Sequence, residues 1–283
     1  MESCLRLETL NIWGGRLHQS LLTHLHRQAS AVDIFCFQEV YSTHSDHLFT
    51  REVEKSRQGA QPGNDLPERA NMYQELAEAL PEFDGYFSSC QDFHAYSGPV
   101  DFDLSFGLAI FARKTLVLDA VGEHFVHRQR NSIIGTDNAT IGRNLQYIQF
   151  HLNTTPVTVV NTHGLWNGKG KTDSPDRLEQ SRNINAFLAT IRGVKMVCGD
   201  LNLLPATQSL ALLEQELRNL VKVYGITSTR SRFYEQPDRF ADYVLVSREV
   251  QIEDFRVLHE EVSDHCPLLL TFRRNVGHDT SQT

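Results

Sequence analysis

Acids, amides and imidazoles stand at the ends of short apolar runs along this chain. Met196-Val197-Cys198-Gly199-Asp200-Leu201-Asn202 delivers a carboxylate and an amide, two residues apart, onto a Gly-containing turn. Ser263-Asp264-His265-Cys266-Pro267 immediately precedes the apolar run Leu268-Leu269-Leu270. Asn11, Glu39, His163 and Asp242 each sit at the end or the start of a similar run. A sheet scaffold presents polar groups to a cleft at such strand ends. One Asp or His in such a place usually caps a turn, but the repetition of the pattern points to a built site. Carboxylate and amide oxygens are hard ligands that suit Mg²⁺, with Mn²⁺ as a substitute. Zinc is disfavoured despite 13 histidines, since no HExxH and no Cys/His finger spacing occurs. His24 with His26, and His44 with His47, lie in polar segments and read as solvated.

Strands must position these groups. Residues 5–12 alternate with period two, which predicts a half-buried strand ending near Asn11. Gly14-Gly15 breaks it, and a helix is expected over 17–29 with Leu21, Leu22 and Leu25 on one face. Residues 32–37 form a strand that runs into Gln38-Glu39. Residues 41–82 read as an elaborated connection: a charged stretch at 50–57, a Gly/Pro/Asn loop at 59–67, and a helix over 67–80 with the stripe Met72, Leu76, Leu80. Strands are expected near 86–87, 104–111, 116–126, 144–152 and 157–162, the last delivering His163. Ser174-Pro175-Asp176 is a helix start, with a Ser cap, Pro in the first turn and an acid at the positive dipole end. Leu178, Ile184, Phe187, Leu188 and Ile191 supply its apolar face. The strand to Gly199 follows, then a helix over 208–217 and strands near 243–246, 255–258 and 268–272. Consecutive strands with few helices favour an α/β sandwich of two mixed or antiparallel sheets with helices outside, over a Rossmann repeat. Residues 1–273 read as one catalytic domain and 274–283 as a polar, disordered tail.

Composition narrows the classes of function. A chain of 283 residues can bury a sizeable core, and no Pro/Gly/Ser linker splits it. The net charge of −8 argues against coating nucleic acid by bulk positive charge, while leaving room for a local basic cleft. No stretch approaches the ~20 apolar residues of a membrane span. The N-terminus has no basic region followed by an apolar one, so no secretory signal is expected. Five scattered cysteines without a CxxC fit buried reduced thiols in a cytoplasmic protein. A monomer without stable membrane association is expected.

The order and local sequence of these segments resemble the endonuclease/exonuclease/phosphatase superfamily of metal-dependent phosphoesterases. The segments that carry the likeness are Leu10-Asn11-Ile12, Phe37-Gln38-Glu39-Val40, Asn161-Thr162-His163, Gly199-Asp200-Leu201-Asn202, Phe240-Ala241-Asp242-Tyr243 and Ser263-Asp264-His265. The resemblance implies a four-layer α/β/β/α sandwich with the cleft at one end of two mixed sheets. It also implies roles: Asn11, Glu39 and Asp264 toward the metal, and Asp200 orienting and deprotonating the attacking water. Asn202 then holds that water or a phosphate oxygen, and His265 donates to the phosphate with Asp242 behind it. His163 contacts the phosphate or assists the leaving group. The residue types suit the task, because a phosphodiester must have its charge neutralised, a water activated and its leaving oxygen stabilised.

Substrate signals are local. Gly142-Arg143-Asn144-Leu145 resembles a stretch of the 5′-tyrosyl-DNA phosphodiesterase branch, and would place Arg143 and Asn144 at the substrate. The Gly-rich loop after His163 carries Trp166, Lys169 and Lys171, a platform for a base or phenolic ring beside phosphates. Arg128, Arg130, Arg239 and the run Thr229-Arg230-Ser231-Arg232-Phe233-Tyr234 form a cationic rim on an acidic protein. Trp13-Gly14-Gly15 is loosely similar to neutral sphingomyelinases, but no apolar hairpin signature or anchor accompanies it. The leading expectation is an Mg²⁺-dependent nuclease or DNA-end-processing phosphodiesterase. A phosphatase or phosphodiesterase of inositol phosphates, phospholipids or small nucleotides would use the same machinery with another rim. A non-catalytic scaffold would have lost these residues, and they are intact.

Overall fold

The computed structural model describes residues 4–51 and 66–274. In chain order these form β1 (Leu5–Asn11), α1 (His18–Gln28), β2 (Ile34–Thr43), α2 (Met72–Ala79), β3 (Phe83–Asp92), β4 (His94–Ala95), β5 (Gly98–Pro99), β6 (Leu104–Arg113) and β7 (Leu118–His127). Then come β8 (Arg143–Leu152), β9 (Thr155–His163), α3 (Pro175–Thr190), β10 (Val194–Asp200), α4 (Gln208–Leu213), β11 (Leu217–Asn219), α5 (Leu220–Val223), β12 (Asp242–Ser247), β13 (Val250–Val257) and β14 (Leu268–Arg274). One mixed sheet runs β13-β14-β1-β2-β6-β3, and the other runs β11-β12-β10-β9-β8-β7.

Alternation along β2 shows how the layers form. Ile34 and Cys36 face the core between the sheets, while Phe35 and Phe37 face the helices α1 and α2. Leu21, Leu25, Met72 and Leu76 supply the helices' side of that contact. On the other sheet, Ile184 and Leu188 of α3 and Leu210 and Leu213 of α4 cover the outer face. β10 is buried almost throughout, which explains its continuous apolar reading. Each sheet contains one parallel pair made by a helical crossover, β1 with β2 through α1 and β9 with β10 through α3. Paired strands therefore end together, and Asn11, His163 and Asp200 emerge at the same end of the sandwich.

Several expectations shift. The helix over 208–217 stops at Leu213, and Leu217–Asn219 instead pairs antiparallel with β12. The helix over 67–80 begins at Met72, because the preceding backbone is tied elsewhere: Thr50 N–H donates to Glu68 O (3.0 Å) and Arg69 N–H to Gly14 O (2.9 Å). His24 is not solvated; it is buried beneath β1 with its Nε2 2.7 Å from Glu8 Oε1. Cys36, Cys90, Cys198 and Cys266 are buried free thiols, and Cys4 is exposed. Most of the charged stretch and loop over 50–67, and the tail from 275, lie outside the described residues. Among the described residues no helix is long and apolar enough to cross a membrane.

Candidate active site

A bulge delivers the first carboxylate. β2 and β6 stay in register up to Gln38 opposite Leu108, then resume at Val40 opposite Gly107, so Glu39 is an extra residue. Its φ of 58° lies in the left-handed region. Phe37 and Val40 both pack on the helix side of the sheet, which frees Glu39 to face the cleft. Gln38 turns between the sheets, where its Nε2 donates to Asn161 Oδ1 (2.7 Å) and Thr9 Oγ1 (3.1 Å). A strained backbone at a functional side chain persists only when its surroundings over-determine it.

The second sheet lays its groups out in one row. Asp200 stands in register with His163 on β9 and with Asp242 on β12. The backbone then turns through Asn202 at φ 51°, and Asn202 N–H donates to Asp200 Oδ1 (2.8 Å). Asp200 Oδ2 is the hub of the site. It accepts from Asn11 Nδ2 (3.1 Å) and lies 3.7 Å from His163 Nε2 and 3.6 Å from His265 Nε2. Burial alone would raise the Asp200 pKa, but His265, His163, Arg230 and Lys171 overcome it and hold the carboxylate ionised, well below the usual range.

His265 presents Nδ1 to both oxygens of Asp242, at 2.8 and 2.9 Å, and Thr229 Oγ1 donates to Asp242 Oδ2 (2.8 Å). Burial and Arg230 oppose protonation of His265, yet the carboxylates of Asp242, Asp264 and Asp200 outweigh them and raise its pKa. His163 goes the other way. Burial, then the Arg143 guanidinium 3.1 Å from its Nδ1, push its pKa down to about 3. Burial raises the Glu39 pKa against the hydrogen bond from Asn11 Nδ2 (2.9 Å). Lys171 is buried at the cleft with its Nζ 4.4 Å from the centre of the Tyr234 ring, and burial lowers its pKa to about 8.

The cleft encloses about 270 Å³ and is lined by Glu39, Asp200, Asn202, His163, His265, Asp264, Arg143 and Trp166 among the expected residues. Asn11 and Asp242 sit immediately behind, bonded to Asp200 and His265. Asn144 does not line it. β8 alternates, so while Arg143 faces the cleft, Asn144 points the other way and donates to Ser88 Oγ (2.6 Å) on the opposite sheet. Of the expected cationic rim, Arg230 reaches the centre, whereas Arg130 is held by Asp92 (2.8 Å) and Arg239 by backbone carbonyls. The expectation missed Arg16 and Glu68, an ion pair that walls the cleft beneath Trp13. Only the docking of 66–72 against the turn at 13–15 brings them there, and no local pattern announces it.

The donor set fits a divalent cation. Glu39, His163 and Asp200 have ligand atoms within 4.8 Å of one another, as do Asp200, Asp242 and His265, and in the first group the two carboxylates are the metal donors because Arg143 occupies Nδ1 of His163 and leaves its proton on Nε2. Glu39 Oε2 accepts no hydrogen bond among the described residues, so a lone pair faces the cleft. Asn11 offers its nitrogen rather than its oxygen to the carboxylates, because Asn11 Oδ1 accepts from Trp13 N–H (2.9 Å). Taken together, the cleft holds an ionised acid, an imidazole biased toward the cation, a neutral imidazole donor and three buried cations. Such a set binds a phosphoryl group and stabilises the charge that develops on it.

Residues 9–265 match the Endonuclease/Exonuclease/phosphatase family. No curated protein matches the sequence. Among solved structures, an endonuclease/exonuclease/phosphatase family protein of Bacteroides thetaiotaomicron superposes with a TM-score of 0.68 at 17% identity, over 99% of each chain. A mannosyl-6-phosphatase of Bacteroides thetaiotaomicron gives 0.64 at 16% identity, over 95% of this chain and 99% of that one. The human Nocturnin catalytic domain with bound sulfate gives 0.63 at 17% identity, over 96% and 93%. At these identities the likeness to solved structures establishes the α/β/β/α sandwich.

Proposed function

The chain belongs to the endonuclease/exonuclease/phosphatase family of phosphoesterases, and on that premise we propose that it is an Mg²⁺-dependent phosphodiesterase acting at the ends of nucleic acid strands. The observation that carries this reading is Asp200 Oδ2 at 3.6–3.7 Å from two imidazoles of opposite protonation preference, inside a cleft of about 270 Å³. A cleft of about 270 Å³ has room for a terminal residue. The net charge of −8 fits local capture better than wrapping.

Glu39, with Asp200 beside it, would hold the metal, which when bound supplies charge neutralisation at the phosphate. The ionised Asp200 takes the proton of the attacking water, and Asn202 N–H keeps its carboxylate oriented. His265, with Nδ1 held by Asp242 and Nε2 against the Arg230 guanidinium, forms with that guanidinium a pair whose positive charge faces the non-bridging oxygens. His163 donates a proton-bearing Nε2 without taking up charge, since Arg143 occupies its Nδ1. Arg143 and Lys171 add positive potential, and Trp166 offers a face on which a terminal base can stack. Buried free thiols support a reducing, cytoplasmic setting.

A second reading is a phosphatase of small phosphorylated molecules. The Arg16–Glu68 pair favours it, because a charged wall can hydrogen-bond hydroxyls of a sugar or inositol. Mg²⁺-dependent hydrolysis over one panel separates the readings: linear and circular DNA, RNA, an abasic duplex, a 5′-phosphotyrosyl oligonucleotide, an inositol phosphate, a hexose 6-phosphate and sphingomyelin. The end-processing reading expects cleavage of linear substrates with circular DNA intact. Turnover of small phosphates alone would replace it with the second, and nicking of circular DNA would make the protein an endonuclease.

A further inference from the structure

We propose that the site seats a single divalent metal, at Glu39, and that the Arg230 guanidinium permanently fills the position a second cation would take. This rests on the metal-dependent reading above. Arg230 is buried at the centre of the site, not on its rim. Its Nη1 donates to Asp264 Oδ2 (2.7 Å) and also contacts His265 Nε2, while its Nη2 lies 4.0 Å from Asp200 Oδ2. Two of those partners, Asp200 and His265, belong to the second group with metal-ligand spacing. The Asp200, Asp242 and His265 group has ligand spacing, but both ring nitrogens of His265 are taken, Nδ1 by Asp242 and Nε2 by Arg230.

The guanidinium is fixed and cannot readily swing aside for an ion. Its carbon sits 4.1 Å from the centre of the Tyr234 ring, and Arg230 is joined to His265 by a backbone bridge. Arg239 Nη2 donates to the Arg230 carbonyl (2.8 Å) and to that of Ser231 (2.9 Å), clamping the turn. A planar, always-charged fork suits a place that must hold a cation at every pH. By contrast, Glu39 keeps Oε2 without a hydrogen bond among the described residues. Asp264 is thereby the partner of Arg230, and the expectation that it adds a second carboxylate to the metal gives way to this one.

The test is Mn²⁺ binding to the full chain after chelation, followed by electron paramagnetic resonance. The wild type should bind one ion per chain. Arg230→Met removes the charge while keeping the length, and should bind two. Arg230→Lys restores a cation and should return to one. Glu39→Gln should weaken the wild-type site at least 10-fold. Two comparable sites on the wild type would overturn the proposal, as would a folded Arg230→Met variant with one site of unchanged affinity. If Arg230→Met does not fold, the wild type and Arg230→Lys decide: one ion on each supports the proposal, and two on either overturns it. Absence of Mn²⁺ binding in the folded wild type would instead remove the metal-dependent function, and this inference with it.

Discussion

Arg143 Nη1 lies 3.1 Å from Nδ1 of His163, so the guanidinium donates to that nitrogen and the ring keeps its one proton on Nε2. Nε2 in turn faces Asp200 Oδ2 at 3.7 Å and Glu39 Oε1 at 3.8 Å. An arginine beside a histidine usually costs stability through like charge, but here the histidine is neutral and the contact fixes a tautomer.

Replacing Arg143 by Met should release that tautomer and lower turnover about 10- to 100-fold, the range of a lost oriented donor. The readout that separates orientation from simple loss of charge is the ¹⁵N spectrum of His163. It should show Nε2–H alone in the wild type and a mixture in the variant. An unmixed spectrum with reduced turnover would make Arg143 a direct phosphate ligand instead.

Burial of neutral His163 also predicts an acid-labile fold. Its folded pKa of about 3 lies below the ordinary value of 6.5, so between these limits the unfolded chain binds the extra proton. Stability from this residue is present above pH 6.5 and falls as pH drops through that window. Denaturation midpoints at pH 7 and pH 5 should differ less in His163→Gln than in the wild type. Equal differences would show that other groups govern the acid limb.

Lys171 should make anion capture sensitive to alkali. With its pKa at about 8 it is largely charged at pH 7 and largely neutral at pH 9. Inorganic phosphate should therefore bind the wild type several-fold more weakly at pH 9, while Lys171→Arg should flatten that dependence. Isothermal titration at the two pH values checks this, and an identical slope in both proteins would place Lys171 outside the anion site.

Gly199 is required by close approach. At φ 130° its missing Cβ would sit 2.1 Å from the Thr162 carbonyl and 3.2 Å from Gln38 Nε2. Gly199→Ala should cost at least about 2 kcal/mol and displace Asp200 from its row. Urea denaturation measures the first effect, and a loss below about 0.5 kcal/mol would show that the β9–β10 backbone relaxes freely.

Much of this arrangement is readable from the chain because strand ends announce themselves. The runs before Asn11, Glu39, His163 and Asp200, and the positions of Asp242, Asp264 and His265, converge on one end of the sandwich as the spacing implies. Reading went astray where a single residue's direction decides. Asn144 follows Arg143 on a strand, so the two cannot share a face. Arg230 stood among several arginines in a basic stretch with no period to rank them, and only the bridge to His265 singles it out. The bulge at Glu39 is equally silent in sequence, although it aims the carboxylate. Leu217 reads as helix by local pattern, yet edge pairing with Ser247 claims it for the sheet.

The proposed function requires Asp200, Glu39 and His265 to act together in metal-dependent phosphoester hydrolysis. The most direct measurement is the Mg²⁺ titration of turnover, on the best substrate of the panel, for the wild type, Asp200→Asn, His265→Ala and Glu39→Gln. Asp200→Asn and His265→Ala should each lower turnover at least ~100-fold with folds intact, as expected for losing an acid–base or charge-stabilising group. Glu39→Gln should need a higher Mg²⁺ concentration for half activity. Near-normal turnover in the first two variants, with an unchanged metal titration in the third, would contradict the proposed function.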